Sequence, residues 1–169
     1  MKVRLKFMKF LDFENHTEPS LIKNKFDAYQ KYLADNRTSI PPSAYEFAAA
    51  DWHYNPQDPR CPHDSWVESL QISEEHLPQI DRQDGIKIQL MLLGAYHDGQ
   101  IRIIYEGVKS YSFNLLPDSF EIKHHGDWII DEIRLSENGW LIHEIEFWLK
   151  GRWQIECKDI KYEWLSFEK

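Results

Sequence analysis

The sequence has two cysteines, Cys61 and Cys157, set far apart in 169 residues. That number and spacing exclude a disulfide-stapled scaffold and read as two reduced thiols in a cytoplasmic protein. No apolar run approaches the roughly 20 residues of a membrane span. The opening MKVRLKFMKF interleaves charge with apolar residues and lacks the continuous apolar stretch of about 7–15 residues that a signal peptide needs. Basic charge is short: 20 Lys and Arg stand against 28 Asp and Glu, a formal −8. Nucleic acids and anionic membrane surfaces, which are held by clustered Lys and Arg, are therefore poor partners. There is no G-x-S-x-G, no P-loop and no G-x-G-x-x-G.

Glycine is missing from the first half. All seven glycines lie beyond residue 84, and seven of the eight prolines lie before residue 85. Glycine supplies the positive φ of hairpin turns, so the C-terminal half reads as a run of hairpins. Charge divides the chain as well. Residues 1–40 hold eight bases and five acids (+3), and residues 41–169 hold twelve bases and 23 acids (−11).

What is abundant is aromatic, at 14% Phe, Trp and Tyr, which argues for a real core. The length suits one domain over residues 1–169. Within it, residues 1–55 form a strand-plus-helical segment and 65–165 an antiparallel sheet. Val3, Leu5 and Phe7 alternate with Lys2, Arg4 and Lys6 as in a half-buried strand. Ile22, Phe26, Tyr29 and Leu33 share a helical face, with Thr17 or Ser20 as cap and Pro19 in the first turn. A second helix starts at Pro41-Pro42 and runs to Ala50. Residues 53–64 form an ordered irregular loop.

From Trp66 onward the period is two. Strands are expected at 65–72, 86–93, 101–106, 108–115, 127–135, 140–149, 152–158 and 160–165. Their short links permit only antiparallel pairing. The fold class is α+β: an antiparallel β-meander, closed or sandwich-like, with two N-terminal helices packed on it.

Three-residue loops at Glu137-Asn138-Gly139 and Leu149-Lys150-Gly151 segregate apolar residues best. They place Ile133 opposite His143, Asp131 opposite Ile145 and Ile129 opposite Phe147. Next come Phe147 beside Trp153, Ile145 beside Ile155, and His143 beside Cys157. One face is then apolar, interrupted by Asp131 and His143. This pair reads as a buried, mutually satisfied polar pair or as an acid–base dyad. The opposite face carries Trp128, Glu132, Glu144, Glu146, Trp148, Arg152 and Glu156, with Glu132, Glu144 and Glu156 in one row. That row is relieved by Arg134 and Lys158, by a hard cation or by a basic partner. The two tryptophans would serve a partner interface or a carbohydrate-binding sheet. In another reading, the N-terminal helices cover this face.

Residues 61–70 are the densest constellation. His63, Asp64, Trp66 and Glu68 mark a candidate cleft, with Asp64, Trp66 and Glu68 sharing the face of Leu70 and Ile72. His-Asp pairs at 63–64 and 97–98 lack the helix-borne ligands of metal phosphohydrolases. Neither Cys61 with His63 nor His124, His125 and Asp127 has zinc spacing. No metal, cofactor or catalytic residue is assigned.

The stretches HDSWVESL, LLGAYHDG, HGDWIIDEIRL, GWLIHEIEF and GRWQIECKDIKYEW, with I-x-I-x-L strands between them, resemble a group of uncharacterised bacterial proteins of similar size. Some proteins of that look are immunity proteins of polymorphic toxin systems. The resemblance spans roughly residues 60–165 and leaves 1–55 uncovered. It implies a non-enzymatic protein that binds a basic, toxin-like partner, and it brings no catalytic residues. The other expectation is an enzyme or small-ligand protein with a pocket around His63, Asp64 and Glu68 or Asp131 and His143.

Overall fold

The computed structural model describes residues 7–13, 18–74, 85–115 and 124–167. The strand expected at Val3 and Leu5 and the cap at Thr17 lie outside them. Helix α1 (Pro19–Asp35) opens with proline in its first turn, where the missing N–H costs nothing. Glu18 holds the N-cap position without a side-chain cap bond, and Ser20 sits inside the helix. The predicted face is the packed one, with Tyr29 and Leu33 fully buried. Helix α2 (Pro42–Ala48) buries Ala44, Phe47 and Ala48 and ends two residues earlier than expected.

Eight strands follow in sequence order: β1 (Trp66–Glu74), β2 (Ile86–Leu93), β3 (Gly99–Val108), β4 (Ser110–Asn114), β5 (Trp128–Leu135), β6 (Leu141–Phe147), β7 (Arg152–Cys157) and β8 (Asp159–Ser166). They form two antiparallel four-stranded sheets, ordered β1-β2-β3-β8 and β4-β7-β6-β5, rather than one meander. The fold is α+β and the sheets do not close. The chain changes sheet twice within a single residue, at Lys109 between β3 and β4 and at Lys158 between β7 and β8. Lys109 N–H donates to Glu156 O and Lys158 N–H to Glu106 O, so the two crossings lie side by side. Gly107, at φ +58°, permits this corner: a Cβ there would lie 2.7 Å from the Lys158 side chain.

The inner faces of both sheets and the helices share one core. It runs from Ile88, Leu90 and Ile103 in the first sheet through Ile145, Trp153 and Ile155 in the second to Leu33 and Phe47. Both cysteines are free and buried.

The first predicted hairpin holds. Gly139 takes the left-handed position (φ +78°), Ile133 faces His143 and Asp131 faces Ile145. The second is corrected. Its three-residue loop is Trp148-Leu149-Lys150, closed by Phe147 N–H donating to Gly151 O and Lys150 N–H donating to Phe147 O, and Lys150 is the left-handed residue (φ +63°). Gly151 serves a close approach instead, since a Cβ there would sit 3.0 Å from Asn114 O of β4. The pairing slides by two residues, so Ile145 faces Trp153, His143 faces Ile155 and Leu141 faces Cys157. A slip of two preserves which side chains point inward but changes every row. Glu132 and Glu144 align with Gln154, while Glu156 moves opposite Ile142. The expected row of three carboxylates is therefore a row of two.

Two bulges make further corrections. One in β5 between Trp128 and Ile130 turns Trp128 inward opposite Phe147, where it is 1% exposed. Another in β1 between Val67 and Ser69 separates Trp66 and Glu68 from the face of Leu70 and Ile72.

Candidate functional site

Strand β5 is an edge of its sheet, and its outward backbone groups need partners. Side chains and loop backbone supply them. Tyr29 OH donates to Ile133 O (2.8 Å) and accepts from Ile133 N–H (2.9 Å). Tyr32 OH accepts from Leu135 N–H, and Tyr54 OH donates to Asp131 O. His63 Nδ1 donates to Ile129 O (2.8 Å). Asp64 N–H donates to Trp128 O, and Trp128 N–H to Ser65 O. Burial holds the Tyr29 and Tyr54 phenols well above their ordinary pKa, so both remain protonated donors.

Asp131 is the hub of a buried polar network. The expected partner is present: His143 Nε2 donates to Asp131 Oδ2 at 2.9 Å, and Tyr105 OH donates to His143 Nδ1 from the facing sheet. Trp128 Nε1 donates to Asp131 Oδ1. The sequence reading missed His53. Its Nδ1 lies 2.7 Å from Phe47 O and its Nε2 3.0 Å from each Asp131 oxygen. An oxygen therefore faces each of its ring nitrogens. The ring lies between Phe47 and Tyr54, stacked at 4.4 and 4.2 Å. Burial works against ionisation of Asp131, but the His53 charge and the hydrogen bonds from His143 and His53 outweigh it. The carboxyl is held well below the ordinary range.

The acidic face is interior. Glu132 is 0% and Glu144 2% exposed. Residues Phe7–Phe13 run across the sheet as a strap, and their backbone amides point at the two carboxylates. Glu132 accepts from Lys9, Phe10 and Leu11 at 2.7–2.9 Å, and Glu144 accepts from Met8. Arg134 pairs with both. Burial raises the Glu144 carboxyl above its usual range, against the pull of Arg134 and the Met8 amide. The N-terminal region does cover this face, through an extended strap rather than a helix. Trp128, Glu132 and Glu144 are thus withdrawn from the expected partner surface, and a carbohydrate-binding pair of Trp128 and Trp148 is ruled out. Trp148 is 67% exposed in its turn. Arg152 pairs with Glu146 and covers the Phe7 ring, and Glu156 pairs with Lys109.

The four residues of the candidate cleft part company. His63 lines a cavity of about 270 Å³ walled by Phe13, Phe26, Tyr54 and Pro56 and by two consecutive isoleucines, Ile129 and Ile130. The β5 bulge delivers both isoleucines to this wall. His53, Asp131 and Trp128 form its floor. Trp66 lies on the other side and donates to Asp127 Oδ1 at 2.6 Å. It lines a hollow of about 320 Å³ with Val67 and residues 124–127. Glu68 accepts from Gln100 on the exposed sheet.

Trp66 (48% exposed) and Tyr96 (55%) stand in an acidic neighbourhood. His97 meets the Trp66 ring at 4.7 Å, and Tyr96 OH donates to Pro56 O. Asp64, Glu68 and Asp98 are exposed around them, and Asp127 is half-buried. Among the described residues, no group of three His, Cys, Asp or Glu is placed to hold a metal ion. No described helix is long and apolar enough to cross a membrane.

Tyr29 and Tyr32 carried a sequence signal, since they lie three apart on one face of a predicted helix. His53 carried none beyond its place at the head of a proline-rich loop. No protein-family model matches the chain, and no curated protein matches it.

Proposed function

We propose that this protein acts by binding a basic partner protein, in the manner of an immunity protein, and catalyses no reaction. The observation that carries the reading is the acidic, aromatic surface formed by Trp66, Tyr96, Asp64, Glu68, Asp98 and Asp127. Rigid exposed aromatic rings are the usual anchors of a protein interface. Carboxylates around them steer a cationic partner and fix its orientation. The surface lies at one end of the sheets, on strands and turns held by the core.

The chemistry of the described nucleophiles supports binding over catalysis. Burial pushes the Cys61 thiol up to about 11 and the Cys157 thiol up to about 12, which leaves both protonated and unreactive. Ser65 is buried, and its hydroxyl donates to Pro62 O. Asp131 and His143 have every hydrogen-bonding position engaged, so the pair has no proton to exchange with a substrate.

The test is a binding measurement against the product of the adjacent gene at about 50 and 500 mM salt. Salt-sensitive binding, weakened at least about tenfold by Trp66→Ala or Asp64→Lys, is the expected result. A complex that ignores salt and both substitutions would refute the surface.

A second reading, binding of a small molecule, is favoured by the cavity beneath His63, with its apolar walls and polar floor.

A further inference from the structure

We infer that the cavity beside the β5 bulge is a binding site for a neutral, planar aromatic molecule of about two fused rings. The inference rests on the small-molecule reading and is independent of the partner surface.

Size comes first. A sealed apolar cavity of about 150 Å³ takes up benzene. This one holds about 270 Å³ and opens to solvent, enough for a bicycle and too small for a drug-sized ligand. Shape comes second. Phe13 and Phe26 lie 5.5 Å apart, and Phe26 meets Tyr54 edge-on at 5.2 Å. A flat ring inserted among them meets further rings in the tilted and edge-on geometries that aromatic pairs prefer. Ile129 and Ile130 form the opposite wall. An ordinary strand would turn one of them away, and the bulge turns both toward the space. Bulges that re-aim side chains are a recurrent device next to binding sites.

Charge decides the ligand class. The polar atoms of the floor are already engaged: the carboxylate of Asp131, both nitrogens of His53 and the indole N–H of Trp128. Tyr54 OH is bonded to Asp131 O. An anionic ligand would give up its hydration against phenyl and isoleucyl walls and find no unpaired cation on the floor. A cationic ligand would give up its hydration in the same way and find the Asp131 carboxylate already taken by His53, His143 and Trp128. A neutral ring system incurs neither cost. One polar contact remains open to it. His63 donates from Nδ1 to Ile129 O, and its Nε2 has only a 3.4 Å approach to Asp64 Oδ1.

Indole is the probe, titrated into the full chain and followed in methyl spectra of the isoleucines. Shifts at Ile129 and Ile130 with a Kd of about 0.1 mM are expected, inside the per-atom affinity range of small ligands. Tryptamine, a cation, and indole-3-acetate, an anion, should each bind at least about tenfold more weakly. His63→Leu should weaken indole up to about tenfold more than it weakens naphthalene. Ile130→Trp, filling the space, should abolish binding, with circular dichroism confirming that the variant is folded. If it is not folded, the three indoles compared on the unaltered chain decide the matter. Absence of shifts at about 1 mM indole, or equal affinity for the neutral and charged probes, overturns the inference.

Discussion

The hydroxyl of Tyr29 bonds to both backbone groups of Ile133, donating to its carbonyl and accepting from its amide. One side-chain oxygen thereby stands in for the strand that would otherwise lie beside β5. The edge is closed by helix α1, and the sheet is protected from pairing with another chain.

Tyr29→Phe removes both bonds and leaves a buried amide and carbonyl unpaired. The expected loss is about 2 kcal/mol, read from urea unfolding. Tyr32→Phe, which removes one bond at a half-buried site, should cost about half as much. Equal and negligible losses would mean that solvent satisfies the edge.

Asp131→Asn takes away the buried carboxylate that His53, His143 and Trp128 all bond. A broken buried pair costs about 3–5 kcal/mol, so this variant should be among the least stable single substitutions in the chain. The pH dependence has a definite sign. The folded-state pKa of Asp131 is depressed, so its contribution is fully present above the unfolded carboxyl value of about 3.9 and is lost as pH falls below it. Unfolding curves at successive acid pH values should show the gap between wild type and Asp131→Asn narrowing below about pH 4.

Glu132→Ala takes away the acceptor of three strap amides. Hydrogen bonds to a charged group are worth about 1.5–3 kcal/mol. Exchange at Lys9, Phe10 and Leu11 should therefore quicken by one to two orders of magnitude, while the amide of Ile145 in the core stays protected. Measured by hydrogen exchange, unchanged rates at the three strap amides would show that packing of Met8 and Leu11 alone holds the strap.

The second hairpin can be tested by exchanging the roles of two neighbours. Lys150 bears a left-handed conformation that costs a side-chain-bearing residue about 1–2 kcal/mol, partly offset by the backbone entropy that glycine would add. Lys150→Gly should raise stability by about 0.5 kcal/mol. Gly151→Ala, with its new methyl against Asn114 O, should lower it by about 1 kcal/mol. The register in which Gly151 is the left-handed residue gives the opposite order.

Strand positions were legible because period-two patterning and glycine turns mark them locally. All eight expected strands are present, and Asp131 and His143 meet as the first hairpin requires. The slip at Lys150 was not legible. A Lys-Gly pair offers two places for the left-handed residue, and the contact that decides between them comes from Asn114, some 37 positions upstream. The bulges at Ile129 and Glu68 escaped for a related reason: alternation looks unbroken across the extra residue, and only the partner strand reveals it. The sequence pattern therefore puts Trp128 on the wrong face. In the sequence Glu132 and Glu144 look like surface charge, because acids at alternating positions are ordinarily solvated. Arg134, the base expected to relieve them, does pair with both, and their remaining partners are main-chain amides, which leave no mark in a sequence. His53 and the tyrosine hydroxyls belong to the same class of contact, between residues more than 70 positions apart.

The strap also sets which changes the chain tolerates near its start. Glu132 and Glu144 grip nitrogen atoms that nearly every amino acid supplies, so they are blind to side-chain identity at Lys9. Proline, which has no such hydrogen to offer, is the exception anywhere from Met8 to Leu11. Saturation mutagenesis at the exposed Lys9 would draw a permissive profile with one forbidden letter, a signature that hydrophobic packing alone does not produce.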